Sequence, residues 1–153
     1  MKYLKLIGCI IFCQLAGLIG TLSGSGTTDW YLQLNKPWFN PPSAVFGPVW
    51  STLYLFMGIA LWMIWQTKTK ESKQTAYILF FIQLVLNSLW SFIFFAWNNI
   101  FIAGIEIIIL LGFIIATTAA FYKIKKQASF LLWPYILWVS FATFLTWTLY
   151  TLN

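Results

Sequence analysis

Apolar residues in this chain come in long unbroken blocks and do not alternate with polar ones. Five blocks stand out, at about residues 6–23, 44–65, 75–97, 100–122 and 129–150. Most run 22 or 23 residues, and at about 1.5 Å per residue such a run crosses a hydrocarbon layer of about 30 Å. Backbone polar groups in lipid need internal partners, so each block is a helix or a strand of a closed barrel. Continuous runs without alternation favour helices. The expected fold is an all-α membrane protein: a single domain, residues 1–153, made of five transmembrane helices with a long structured loop between helices 1 and 2.

The connections between blocks are unequal. Asn98-Asn99 is the whole link between blocks three and four. Those helices must be antiparallel neighbours, and Asn tolerates the left-handed conformation that ends a helix. The links at Thr67–Gln74 and Lys123–Ala128 are short and Lys-rich. The link from Gly24 to Ser43 is about twenty residues, long enough to suggest a role of its own, and it reads as having no regular element. It carries Trp30, Tyr31, Leu32, Leu34, Trp38 and Phe39, which a disordered segment would lack. Pro37, Pro41 and Pro42 each fix one φ angle and push the preceding residue toward extended backbone. Gly47-Pro48 falls in the first turns of the next block, where a missing N–H costs least. The stretch KPWFNPPSAVFGPVW therefore reads as a rigid strut that sets the height and direction of Trp50.

Composition agrees with lipid as the solvent. Hydrophobic residues make up 61% of the chain and charged residues only 8%, against about 25% charged in soluble domains. The net charge of +6 would raise nucleic-acid binding in a soluble protein. Here the lysines sort by topology. Lys2, Lys5, Lys68, Lys70, Lys73, Lys123, Lys125 and Lys126 fall on one side of a five-span chain, and Lys36 alone on the other. The positive-inside rule then expects a multi-pass protein of the cell membrane, N-terminus cytoplasmic and C-terminus outside, with lipid and no nucleic acid as its surroundings. The first block has the make-up of a signal peptide as well. No clear Ala-x-Ala site follows it, and it is read as a retained span.

The chain has no histidine, so a His-ligated haem iron, a His-based zinc site and a Ser-His-Asp triad are excluded. Cys9 and Cys13 lie four apart, on one helical face, and read as small packing residues. No metal cluster is expected.

Polar groups at membrane depth are costly and usually face protein or a cavity. Block three carries Gln83, Asn87, Trp90, Ser91 and Phe94 on one helical stripe. Block five offers Tyr135, Trp138, Ala142 and Thr146 on another, and block two Phe46, Trp50, Leu53 and Met57. The residues alone leave two readings. The stripes are helix–helix glue, or they line a pocket for a flat, largely apolar ligand with a few polar points, since indole faces stack well on planar rings. Glu106 is the one carboxyl within a span. The structural expectation is a neutral carboxyl bonded to an indole or hydroxyl. The functional one is proton coupling in an exporter.

The runs WYLQLNKPWFNPP, FGPVWSTLY, LNSLWSFIFF and PYILWVSFATFL, in that order, resemble the tryptophan-rich sensory protein family, which includes the translocator (peripheral benzodiazepine receptor) proteins. The resemblance covers nearly the whole chain. It implies a five-helix bundle, a homodimer, and a pocket beneath the first long loop. It implies porphyrins and other tetrapyrroles as ligands, protoporphyrin IX or haem, together with isoquinoline carboxamide and benzodiazepine-type molecules, and no required cofactor. The ligand-binding residues it implies are Tyr31, Trp50, Asn87, Trp90, Trp138 and Ala142. It also implies light-driven porphyrin breakdown, in which Trp50 and Trp138 would be the catalytic residues as oxidisable indoles; transport of tetrapyrroles is the alternative. Three features depart from the family pattern. Thr146 stands where the family commonly has Asn, in the segment after FAT-x-L. Tyr150 is followed by no Lys or Arg, so the pattern for cholesterol is missing. The family's K-P-x-W arrangement is shifted to Lys36-Pro37-Trp38-Phe39, which leaves the roles of the two aromatics open.

Overall fold

The computed structural model describes residues 2–24 and 28–153, so Ser25, Gly26 and Thr27 of the long link lie outside the described residues. The described chain is helical, without a strand. The helices are α1 Lys2–Thr21, α2 Asp29–Gln33, α3 Ser43–Gln66, α4 Gln74–Ser91, α5 Ile100–Ile124, α6 Lys126–Phe130 and α7 Trp133–Leu152. Five segments are long and apolar enough to cross a membrane, with α6 and α7 together forming the fifth.

The helices form a ring. α1 packs along α3 and α4, α4 along α5, and α5 along α7, while α6 closes the circle against α3. One contact shows how tightly the first pair meets. A Cβ on Gly58 of α3 would lie 2.6 Å from the Ile10 Cα of α1, so only glycine admits this crossing. Cys9 and Cys13 are buried free thiols on that same face of α1. The Gln14 side chain donates to the Ser51 carbonyl at 2.9 Å, and Ser88 Oγ to the Ala16 carbonyl at 3.1 Å, tying α1 to α3 and α4.

Three local features differ from the sequence reading. First, the long link does contain a regular element. Thr28 caps α2 by accepting from the Tyr31 N–H, with Asp29 in the first turn, where a carboxylate suits the helix dipole. Second, α4 ends in a π-helical turn at Phe92–Ala96, where the Trp97 N–H bonds the Phe92 carbonyl at 3.0 Å. Third, the block at 129–150 is not one helix. The chain turns at Leu131-Leu132, and Pro134 starts α7 in its first turn, where its missing N–H is free of cost. Pro48 is less innocent than its place in the first turns suggested. It is the sixth residue of α3, so its ring removes the bond to the Ala44 carbonyl.

The Asn98-Asn99 turn is as expected. Asn98 takes φ 53°, and Asn99 Oδ1 accepts from the Ile102 N–H at 3.0 Å, capping α5. The lysine-bearing links gather at one end, where Lys73 Nζ donates to the Trp65 carbonyl and Lys5 sits 4.8 Å over the Trp65 ring. The long link covers the other end.

Candidate functional site: an aromatic cavity under the long loop

Beneath the loop lies a cavity of about 480 Å³, within the usual size of small-molecule sites. Tyr31, Trp50, Asn87, Trp90, Trp138 and Ala142 all line it. The loop-side parts of the stripes in blocks two, three and five therefore meet at a hollow, while Leu53, Met57, Gln83 and Tyr135 lie outside its lining, and Gln83, Asn87 and Tyr135 bond from helix to helix.

The roof is the loop. Tyr31 is buried, and its hydroxyl donates to Asn40 Oδ1 at 3.0 Å. Burial pushes this phenol above its usual range, against the opposing effect of the Asn40 bond, so it stays a neutral donor. Lys36 Nζ lies 4.9 Å over the Tyr31 ring and donates to the carbonyls of Leu32 and Leu34. The roof is fastened to the end of α7. The Asn35 N–H donates to Asn153 Oδ1 at 2.8 Å, Asn153 Nδ2 returns a bond to the Asn35 carbonyl at 3.0 Å, and Asn35 Nδ2 donates to the Leu152 carbonyl at 3.3 Å. Of the two aromatics in the shifted Lys-Pro arrangement, Phe39 stacks on Phe144 at 5.3 Å while Trp38 is 95% exposed. Phe39 thus seats the strut, and Trp38 faces outward.

The walls are rings. Trp90 stacks on Phe94 at 4.9 Å, and the π turn brings Phe95 alongside at 6.0 Å from Trp90. Trp50 stands 5.8 Å from the Tyr54 ring, and Trp138 lies 6.0 Å from Phe46. Trp90 Nε1 and Trp138 Nε1 are buried without a hydrogen-bond partner. Buried donors in proteins are nearly always paired, and in lipid an unmet donor is dearer still.

The floor is a polar network. Tyr54 Oη donates to Asn87 Oδ1, Asn87 Nδ2 donates to Tyr135 Oη at 2.8 Å, and Tyr135 Oη donates to Gln83 Oε1 at 2.9 Å. One amide N–H of Asn87 is left over by this count. Gln83 belongs to the network and not to the cavity wall, and its Nε2 ends on Met57 Sδ at 3.8 Å. Tyr54 is the site residue the sequence reading missed. It lies one turn after Trp50 and so shares its face, but the apolar stripe through Leu53 took its place there.

Glu106 corrects an expectation. It is buried on α5, yet neither carboxyl oxygen has a hydrogen-bond partner, and it does not line the cavity. Two residues before it on α5, Gly104 makes room for the Trp147 ring of α7, which lies 3.0 Å from a Cβ placed there. Among the described residues no group of His, Cys, Asp or Glu is arranged to hold a metal ion.

Relatives share this chain along nearly its whole length. It is 40% identical to the tryptophan-rich protein TspO of Chlorobaculum tepidum over 99% of this chain and 98% of that one. It is 36% identical to the human translocator protein over 81% of this chain and 75% of the relative. It is 34% identical to the tryptophan-rich sensory protein of Cereibacter sphaeroides over 82% and 77%. Residues 9–151 match the TspO/MBR family. With that span and these identities, a five-helix membrane bundle whose roofed cavity is walled by tryptophans places the chain in the TspO/MBR family.

Proposed function

We propose that this protein is a membrane receptor for porphyrins and related planar tetrapyrroles, protoporphyrin IX above all, and that it promotes their oxidative breakdown in light. One observation carries the reading: a hollow of about 480 Å³ beneath the loop, walled by Trp50, Trp90 and Trp138. Flat apolar rings suit indole walls, and an acceptor atom at the ligand's rim suits the spare amide N–H of Asn87. The same cavity suits isoquinoline carboxamide and benzodiazepine-type molecules, which are flat and carry carbonyl acceptors.

The chemistry asks little of the protein. A metal-free porphyrin absorbs visible light and passes its energy to dioxygen. Addition of one O2 across a meso carbon–carbon double bond, followed by scission, leaves two carbonyl groups and needs no proton, base or metal. The chain's part is to hold the macrocycle still and place Trp50 and Trp138 beside it. There an indole can lend the excited porphyrin one electron. The resulting radical anion combines with O2, and the electron returns to the indole radical cation as the peroxidic adduct closes and splits. The sum remains porphyrin plus O2. The eight lysines at one end of the bundle support a cytoplasmic N-terminus, with the roofed cavity facing outward.

Titration of the purified protein with protoporphyrin IX should quench tryptophan fluorescence in a saturable way, less deeply in Trp138→Phe. The Trp50→Phe/Trp138→Phe pair should still bind but bleach bound protoporphyrin IX severalfold more slowly under illumination. Bleaching at the wild-type rate would remove the degradative role and leave the receptor. A second reading, transport of the same molecules, draws on the name translocator borne by the human relative. A liposome flux measurement separates the two.

A further inference from the structure

The cavity stands open on one side. Leu18 and Thr21 of α1 and Ala44, Gly47 and Ser51 of α3 all line it, and all of them are exposed. Both helices are membrane spans, so along most of its height this mouth meets acyl chains and not water.

The mouth follows from how α1 and α3 cross. At Gly58 the two backbones touch, with the Ile10 Cα 2.6 Å from a Cβ placed there. Nearer the loop, the Tyr54 ring lies against Gly17 and takes up the space between the helices. Nearer still, nothing comes within 4 Å of a Cβ built on Gly47. The pair therefore parts toward the loop end. One bond ties the helices just below the parting, from the Gln14 side chain to the Ser51 carbonyl at 2.9 Å. It marks the lower edge of the mouth, about 10 Å along the axis from the end of α1 at Thr21. Among the described residues, no charged side chain lines the cavity or its mouth. The roof is built the opposite way. Asn35 and Asn153 exchange backbone and side-chain bonds, the Tyr31 hydroxyl bonds Asn40, and Phe39 stacks on Phe144.

We propose that the α1–α3 mouth is a standing doorway through which the cavity takes up its ligand from the loop-side leaflet and gives it back, with the loop as a fixed cover. This rests on the receptor reading and adds the source of the ligand, which is the bilayer and not the water above the roof. Passage through the mouth breaks no hydrogen bond. Lifting the roof breaks several at once and exposes buried Tyr31. The mouth also matches the posture of the solute. A flat amphiphile such as protoporphyrin IX keeps its carboxylates at the headgroups and its rings among the acyl chains. The mouth covers that same range of depth, so the rings can enter edge-on while the carboxylates stay outside the uncharged lining.

The test is stopped-flow exchange of protoporphyrin IX with the full chain in lipid nanodiscs. Leu18→Trp and, separately, Gly47→Trp set an indole in the mouth, one from each bank. Leu18 is 58% exposed and Gly47 has open space around it, so neither variant has to repack the core. Bulk that only took ligand volume would weaken binding by speeding dissociation. Bulk in the doorway should slow dissociation and association together, on the order of tenfold. Asn35→Ala/Asn153→Ala loosens the roof and should leave both rates at wild-type values. Dissociation at or above the wild-type rate in both mouth variants, or faster exchange in the roof variant, overturns the proposal. Absence of saturable binding in the wild-type protein is a different result, and sinks the receptor reading itself.

Discussion

Toward the lysine-bearing end of the bundle, Met57, Ile64, Phe80 and Phe121 are fully sealed, and Phe80 lies flat on Phe121 at 5.7 Å. Toward the loop end, Trp50, Trp90 and Trp138 stand around a hollow instead. The same helices build both halves. The difference lies in what sits at the contacts. The closed half has Ala60, Ala76 and Ala128 buried where helices meet, and small residues let backbones approach. The open half has rings facing rings, and bulky side chains hold helices apart. The Tyr54–Asn87–Tyr135–Gln83 network lies between, flooring the cavity and roofing the core. A cavity in a membrane bundle is thus made by choosing large residues at one level and small ones at the next.

The largest effect should come from one substitution made at both levels. Gly58→Ala sets a methyl group 2.6 Å from a backbone atom of α1, which cannot yield. Such overpacking should cost about 2–3 kcal/mol, read as a lowered Tm in detergent. Gly17→Ala sets its methyl 2.3 Å from the Tyr54 ring, a nominally worse clash. But Tyr54 borders the hollow, and its ring can turn about its own axis to move the clashing edge aside while its hydroxyl stays on Asn87 Oδ1. Stability should fall by only about 1 kcal/mol, while protoporphyrin IX affinity drops because the turned ring edge enters ligand volume. Equal losses of stability at the two glycines would mean that the hollow does not relax, and the contrast between the halves would fail.

Next comes the layer between them. Asn87→Leu keeps the bulk but leaves the Tyr54 hydroxyl without its acceptor and Tyr135 without one donor. An orphaned buried hydroxyl should cost about 2 kcal/mol. Tyr135→Phe is the sharper control, because it leaves Asn87 and Gln83 to find each other or the ligand. If Asn87→Leu weakens binding while leaving Tm unchanged, the amide serves the ligand alone and the floor is no structural layer.

How much of this the sequence carries depends on the distance over which each signal acts. The spans were legible because lipid imposes a length on each run, and the Asn98 turn because left-handed backbone selects its residue. Five of the cavity residues were legible because a 3.6-residue period puts Asn87 with Trp90, Trp138 with Ala142, and Trp50 on a stripe of its own, whereas Tyr31 is implied by the family resemblance alone. The failures are tertiary or very local. Nothing near Tyr54 in the chain announces that Asn87 sits within reach of its hydroxyl. The Asn35–Asn153 clasp joins residues 118 apart. Whether Trp38 or Phe39 packs inward depends on which way the strut exits Pro37, and only the folded chain decides it. The break before α7 was missed because Leu131 and Leu132 are as apolar as their neighbours, and hydropathy does not see a turn.

Glu106 gives the smallest effect and sharpens the comparison from outside the cavity. It lies on α5 two turns from the loop end, at the level of the open half, yet it is buried away from the hollow with both oxygens unpartnered. If it has no tie to the ligand, Glu106→Leu replaces an unmet polar group by a well-tolerated one. Stability should then rise by about 1 kcal/mol, with protoporphyrin IX affinity and bleaching unchanged. Thermal melts and fluorescence titration of Glu106→Leu beside Glu106→Gln check both halves of this. If the leucine variant binds worse while the glutamine variant does not, a polar atom at this depth is in use. The aromatic walls would then share the ligand with a group behind them, and the open half would reach one helix further than its lining shows.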